Sequence, residues 1–246
     1  MGSSYNEKLI FDVGMHIGQD TEFYLKKGFD VVAIEANPVL VKQGREKFAD
    51  YLASGQLNIL EIGIADVEGE LPFYVNETYS EWSSLTKWFE NHEYANKFHE
   101  VKVKCTTIDK IIAEFGIPYY LKSDIEDSDT HVVNSLKLLD AKPKYISVEN
   151  GYRTMLDGLQ AAGYTQFKFI NQAKVAEMKC PSPPLEGAFV EHQFVSGASG
   201  PFGEETVGEW KNYDAIATEI DAYWNKPDLN PVNDGWFDLH AKLGNS

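Results

Sequence analysis

Residues 11–21 read FDVGMHIGQDT, and the spacing of an acid, two glycines and a hydroxyl within them fits a ligand-binding turn. An apolar run closes on Gly14 and a polar-led helical stretch starts at Gly18, so backbone at this turn lies close to whatever it binds. Glu35 follows Gly14 by twenty-one residues, at the end of the next apolar run. An acidic side chain there accepts hydrogen bonds from the ribose hydroxyls of an adenosine. The pattern is Asp12-x-Gly14-x-x-x-Gly18, which lacks the third glycine of a G-x-G-x-x-G dinucleotide loop. A carboxylate two residues before the first glycine suits a pyrophosphate poorly. It suits the ammonium and sulfonium charges of S-adenosylmethionine well. No G-x-x-x-x-G-K-[ST] occurs, so a P-loop for nucleoside triphosphates is excluded. The expected cofactor is S-adenosylmethionine, with S-adenosylhomocysteine as its product.

Neighbouring residues carry two readings each. Thr21 fits a helix cap and the cofactor carboxylate equally. His16 lies inside the loop, facing the ligand or capping the helix. The Ala36-Asn37 backbone borders the adenine, while Asn37-Pro38 reads as a turn and helix start. The run Asp124-Ile125-Glu126-Asp127-Ser128-Asp129 has the composition of a hard-cation site. A strand end and helix start explains it as well, since carboxylates favour a helix N-terminus; no metal is expected there. Six histidines show no zinc spacing, and His92 and His99 read as surface or packing residues. Cys105 and Cys180 have no redox partner in sequence, and the Asn76-Glu77-Thr78 sequon has no role in a cytoplasmic protein.

A rhythm of elements positions these residues. Strands are predicted over 8–13, 30–35, 57–64, 70–75, 101–106, 119–125, 144–148, 165–170 and 189–194. Helices are predicted over 18–27, 38–51, 108–115, 131–139 and 155–162. Residues 101–106 (VKVKCT) alternate with period two, as at a sheet edge. The apolar positions from Trp210 to Trp224 recur at helical spacing. Alternation of strand and helix implies a doubly wound α/β fold, a mostly parallel sheet with helices on both faces. The expected organisation is one domain over 5–246, with an α/β core at 8–170 and a loop-rich and helical extension at 171–246.

Several segments, in order, resemble the FkbM-type methyltransferases, class I S-adenosylmethionine-dependent enzymes with a Rossmann-like fold. FDVGMHIGQDT is similar to the family's D-V-G-x-x-x-G loop, and VVAIEANP at 31–38 to its second strand with Glu35 as ribose ligand. IGIADVEGELPFYV at 62–75 resembles its third strand, where Ile64, Ala65 and Asp66 would border the adenine. WSSLTK, CTTI before Asp109, and SGPFGEE with Trp210 also match. LKSDIEDSDTHVVNSL at 121–136 resembles the family's lysine-x-D-x-E-G-x-E pattern, with Asp127 where glycine is common and Asp129 replacing the second glutamate. The resemblance implies O-methylation of a sugar or small natural-product hydroxyl.

A hydroxyl is a poor nucleophile, so a base is expected at the carboxyl ends of the central strands. Asp124 ends one such strand and is retained in the family pattern; Glu149 ends the next. Asp124 is the expected base, Glu149 the second choice, and Glu126 an orienter or cation ligand. Alternatives are a nicotinamide-dependent oxidoreductase of the same fold, and a binding protein that has lost the chemistry.

Composition narrows the partners. With 22 basic against 38 acidic residues the net charge is −16, which argues against a nucleic-acid partner. No apolar run is long enough to span a membrane. The first ten residues lack a secretory core, and two cysteines fit a reduced, cytoplasmic protein.

Overall fold

The computed structural model describes residues 5–90, 95–149, 151–230 and 234–244. His92, read from sequence as a surface or packing residue, lies outside them. A seven-stranded sheet forms the centre. Its strands are β1 (Asn6–Val13), β2 (Asp30–Glu35), β3 (Leu57–Glu61), β7 (Pro118–Ser123), β8 (Tyr145–Val148), β9 (Tyr164–Asn171) and β10 (Phe237–Leu243). The spatial order is β3-β2-β1-β7-β8-β10-β9. The first five are mutually parallel, and β10 runs antiparallel to both neighbours.

Helices cover both faces, which is why the central strands read as unbroken apolar runs. In β1, Leu9, Phe11 and Val13 enter one core while Ile10 enters the other. The first core is covered by α4 (Ile108–Phe115), α5 (Asp129–Lys137), α6 (Arg153–Ala161) and α7 (Tyr213–Trp224). The second is covered by α1 (Gln19–Lys26), α2 (Pro38–Lys47) and the chain from Val175 to Phe202. Residues 38–51, expected as one helix, break at Phe48 into α2 and α3 (Ala49–Ser54). Phe48, with φ −108°, ψ 26°, is at once the C-cap of α2 and the N-cap of α3.

A small second sheet is inserted after β3. It contains β4 (Gly63–Ile64), β5 (Gly69–Asn76) and β6 (Phe98–Thr106), in the order β4-β6-β5. The segment read as an edge strand, 101–106, is therefore central. Its exposed Lys side chains face solvent while Val103 and Cys105 pack inward, and a one-sided layer gives the same alternation as an edge.

The chain beyond 170 does more than cover the core. β9 reaches the sheet only through β10, so residues from the extension complete it. β10 has the sequence FDLHAKL, with Asp238 and His240 buried, a polar face that hid it as a strand. The strand expected at 189–194 is irregular instead, lying over α1 and unpaired in the sheet. Phe194 anchors it against Phe23, ring centroids 5.0 Å apart. A buried ion pair, Lys27 to Glu205 at 3.0 Å, fastens the extension to the end of α1.

Candidate functional site

Strand order reverses between β1 and β7, and a ligand crevice is expected outside the carboxyl ends of strands at such a point. There the two strand ends nearly touch. The Asp124 amide donates to the Val13 carbonyl at 3.0 Å. Gly14 adopts φ +85°, and a Cβ on it would meet the Asp124 carbonyl oxygen at 1.9 Å. Only glycine fits both demands.

A narrow cleft opens from this contact. Gly14, His16, Glu35, Ala36, Ile64 and Asp124, all singled out from sequence, lie in its wall. Leu40, Ile62, Phe73 and Leu85 complete an apolar slot. Glu35 is held by two backbone donors, His16 N–H and Asn37 N–H, each at 2.8 Å. Burial raises its carboxyl above the ordinary range, and the two donors oppose that shift. A carboxylate offers about four lone-pair sites, so acceptor capacity remains for a ligand hydroxyl. Burial lowers the pKa of His16, whose Nε2 lies 2.7 Å from Ser80 Oγ.

The other expected cofactor residues stand behind the wall. Asp12 is fully buried and takes the Thr21 hydroxyl and the Lys122 ammonium, the latter at 3.3 Å. Thr21 is thereby turned away from the cleft. Gly18 begins α1 with φ +77° against the Phe48 ring, and the Asn37 side chain caps α2 by accepting Val39 N–H at 3.0 Å. Ala65 belongs to the core of the small sheet, and Asp66 is exposed.

Sequence reasoning placed Lys122 in the lysine-x-D-x-E segment but gave it no role. Its buried ammonium donates to the Gly14 carbonyl at 2.8 Å and has Asp12, Asp124 and Asp20 within 3.3, 3.6 and 3.8 Å. Burial works against the charge, but these three carboxylates outweigh it and raise the Lys122 pKa well above normal. Asp20, pushed up to about 7 by burial, also accepts the Ser199 N–H at 3.0 and 3.1 Å. One lysine therefore ties the glycine loop, the end of β7 and the extension together. The signal was present: Asp12 and Lys122 are charges in two apolar strands, and they are direct register partners.

A second, wider cavity of about 860 Å³ adjoins the cleft. His16, Gln19, Glu81, Asp124, Glu126 and Gly197 line both. Trp82, Trp88, Tyr152 and Trp236 give it aromatic walls, and Glu149 and Asp238 add carboxylates. Glu126 and Asp127 adopt left-handed φ values of 47° and 65°. The position where glycine is common thus keeps the glycine-type turn with an aspartate, which tolerates it better than most residues. This turn splits the acidic run. Asp129 starts α5 and accepts the Ser123 hydroxyl at 2.6 Å, whereas Asp124 and Glu126 face the cavity. Burial and the nearby Asp124 push Glu126 up to about 9, and burial with Glu126 raises Glu149 far above the ordinary range.

Residues 12–172 match the model of the Methyltransferase FkbM domain. Among solved structures, an FkbM methyltransferase from Methylobacillus flagellatus KT is 15% identical, with a TM-score of 0.45, over 70% of this chain and 41% of that one. The chain thus spans less than half of that protein. A precorrin-6y C5,15-methyltransferase from Geobacter metallireducens GS-15 is 8% identical, with a TM-score of 0.41, over 98% and 82% of the two chains. Comparison with curated proteins gives no match.

Proposed function

Because the chain belongs to the FkbM methyltransferase family, we propose that it methylates a hydroxyl oxygen of a neutral sugar or small natural product, with S-adenosylmethionine as methyl donor. The observation that carries this reading is the shared wall: a cleft with a ribose-type acid opens into an aromatic cavity at Asp124 and Glu126.

The cleft residues fit the cofactor. Glu35 suits a ribose diol, the slot from Ala36 through Ile64 and Leu85 suits an adenine, and Asp124 suits a cationic centre. Gly14 leaves its backbone bare where a close approach is needed. When bound, S-adenosylmethionine supplies an electrophilic methyl group. Asp12 and Thr21 support the loop from behind rather than touching the ligand.

The protein's part is to orient and deprotonate the acceptor. An alcohol loses its proton as its oxygen forms the new bond, and a positioned carboxylate that takes this proton is worth roughly 10²–10⁴-fold. Asp124 is the base in this reading, because it lies in both cavity walls. Lys122 lies 3.6 Å from it, while burial and the nearby Asp124 push Glu126 up to about 9 and burial with Glu126 raises Glu149 in the same direction. The described lining of the wide cavity contains no Lys or Arg and six acids. That sign disfavours phosphorylated, sulfated and nucleic-acid acceptors. Flat indole faces suit sugar rings or polyketide-type surfaces.

Incubation with methyl-labelled S-adenosylmethionine and a panel of neutral glycans and alcohols, followed by mass spectrometry, tests the reading. An oxygen-linked methyl is expected. Methyl found only on nitrogen or carbon, or cofactor binding without transfer to any class, contradicts it.

A further inference from the structure

The narrow cleft that holds Glu35 measures about 80 Å³. Pockets that enclose a small-molecule ligand run to about 300–1,000 Å³. The adenosine end of a cofactor therefore needs more room than these walls leave. Most of the walls cannot give. Val13, Gly14, Ile34 and Glu35 lie at the ends of β1 and β2 in the parallel sheet, and Asp124 is tied to Val13 through its backbone. Leu85 follows Ser84, which pairs with Tyr74 of β5 through two backbone hydrogen bonds of 2.8 and 3.1 Å. The Ser84 hydroxyl also donates to the Glu126 carbonyl.

The chain between Tyr74 and Ser84 is built differently. Its tip is a single turn of 3₁₀ helix, Ser80–Trp82, in which no residue is buried. Ser80, Glu81 and Ser83 line the narrow cleft, while Glu81 and Trp82 line the wide cavity, so the turn stands between the two. A side-chain contact ties it to the glycine loop: Ser80 Oγ lies 2.7 Å from His16 Nε2. His16 adopts a left-handed φ of 52°, which a non-glycine residue keeps only where its surroundings hold it. Its N–H donates to Glu35 at 2.8 Å. One residue thus touches both the turn and the acid expected to bind the ribose.

We propose that Ser80–Trp82 is a gate over the cofactor cleft, hinged on the Tyr74–Ser84 pairing, and that His16 is the positioning residue that closes it. The gate rests on the cofactor reading of the narrow cleft. Opening breaks the Ser80–His16 hydrogen bond and joins the cleft to the wide cavity, which gives the cofactor a way in. Closing returns Glu81 and Trp82 to the wall of the acceptor cavity. Ribose hydroxyls on Glu35 would share that carboxylate with His16 N–H and hold His16 in the closed arrangement.

Stopped-flow mixing of the full chain with S-adenosylhomocysteine, followed by tryptophan fluorescence, tests the gate, since Trp82 lies in the moving turn. The observed rate should rise with ligand concentration and then level off, because opening limits entry. Ser80→Ala should raise that plateau about two- to tenfold, the worth of one hydrogen bond expressed as a rate. His16→Gly, which keeps the left-handed backbone and its N–H, should do the same. Ser80→Thr keeps the hydroxyl and should restore the wild-type plateau, which a general loosening of the loop would not. As a second readout, hydrogen exchange across residues 79–85 should slow when S-adenosylhomocysteine binds wild type, and slow much less in Ser80→Ala. A rate proportional to ligand concentration up to the mixing limit, or a Ser80→Ala plateau equal to wild type, would overturn the gate. Calorimetry separates the two readings. Tight S-adenosylhomocysteine binding with either of those results removes the gate alone, whereas no binding removes the cofactor site and the gate with it.

Discussion

The two sides of the site are built differently. The side proposed for the cofactor is anchored on one stretch, residues 12–37, in which Glu35 is tied to His16 and Asn37 by backbone hydrogen bonds. The side proposed for the acceptor is gathered from the connection between β5 and β6, the ends of β7 and β8, the loop at Ser196–Ser199 and the return strand β10. The first is held by short-range geometry and is mostly satisfied. The second brings six acids into one cavity and leaves Gln172 Oε1 open. A common cofactor favours a fixed local device; an acceptor pocket assembled from long-range pieces can change without disturbing it.

The largest effect should come from the residue that joins the two sides. Lys122→Met removes the one ammonium that faces Asp12, Asp20 and Asp124. Breaking a buried ion pair from one end costs about 3–5 kcal/mol. Chemical denaturation should show a loss of that order, and S-adenosylhomocysteine binding should fail with it. A variant as stable as wild type would mean that the sides are not joined through Lys122.

Asp124→Asn should separate chemistry from binding. Turnover should fall at least a hundredfold, about 2.7 kcal/mol, with S-adenosylhomocysteine affinity within a few-fold of wild type. Equal losses of both would move Asp124 to the cofactor side, and near-normal turnover would remove it from the mechanism.

Glu35→Ala should do the reverse. Calorimetry should show cofactor affinity weakened by about 1.5–3 kcal/mol, the range for hydrogen bonds to a charged group. Turnover at saturating cofactor should stay close to wild type. Unchanged affinity in the folded variant would break the assignment of the narrow cleft.

The smallest effect belongs to the aromatic wall. Trp236→Ala should raise the KM for a sugar acceptor several-fold, in line with about 0.5–1.5 kcal/mol for an aromatic contact. Cofactor affinity should not change, since Trp236 lines only the wide cavity. A matching loss of cofactor binding would show that the two cavities are not independent.

What could be read from sequence follows the same division. Gly14, Glu35 and their spacing were legible because a turn and two adjacent strands fix them locally. The doubly wound order was legible because buried parallel strands such as β1 carry continuous apolar runs. Asp12 was correctly placed in the loop region, but its charge is spent on Lys122, a partner 110 residues away in the chain that only the β1–β7 register reveals. β10 stayed hidden because Asp238 and His240 interrupt its apolar pattern, and with it went Trp236, Asp238 and the view of Gln172. The strand expected at 189–194 is irregular, its Val190 and Phe194 packed on the α1 face of the sheet rather than paired in it.

The most direct measurement is a crystal structure of the full chain with S-adenosylhomocysteine. The account predicts the ribose hydroxyls on Glu35, the adenine between Ala36, Ile64 and Leu85, and the sulfur facing the junction at Asp124 and Glu126, open to the aromatic cavity. A ribose bound away from Glu35, or a sulfur closed off from that cavity, would contradict it.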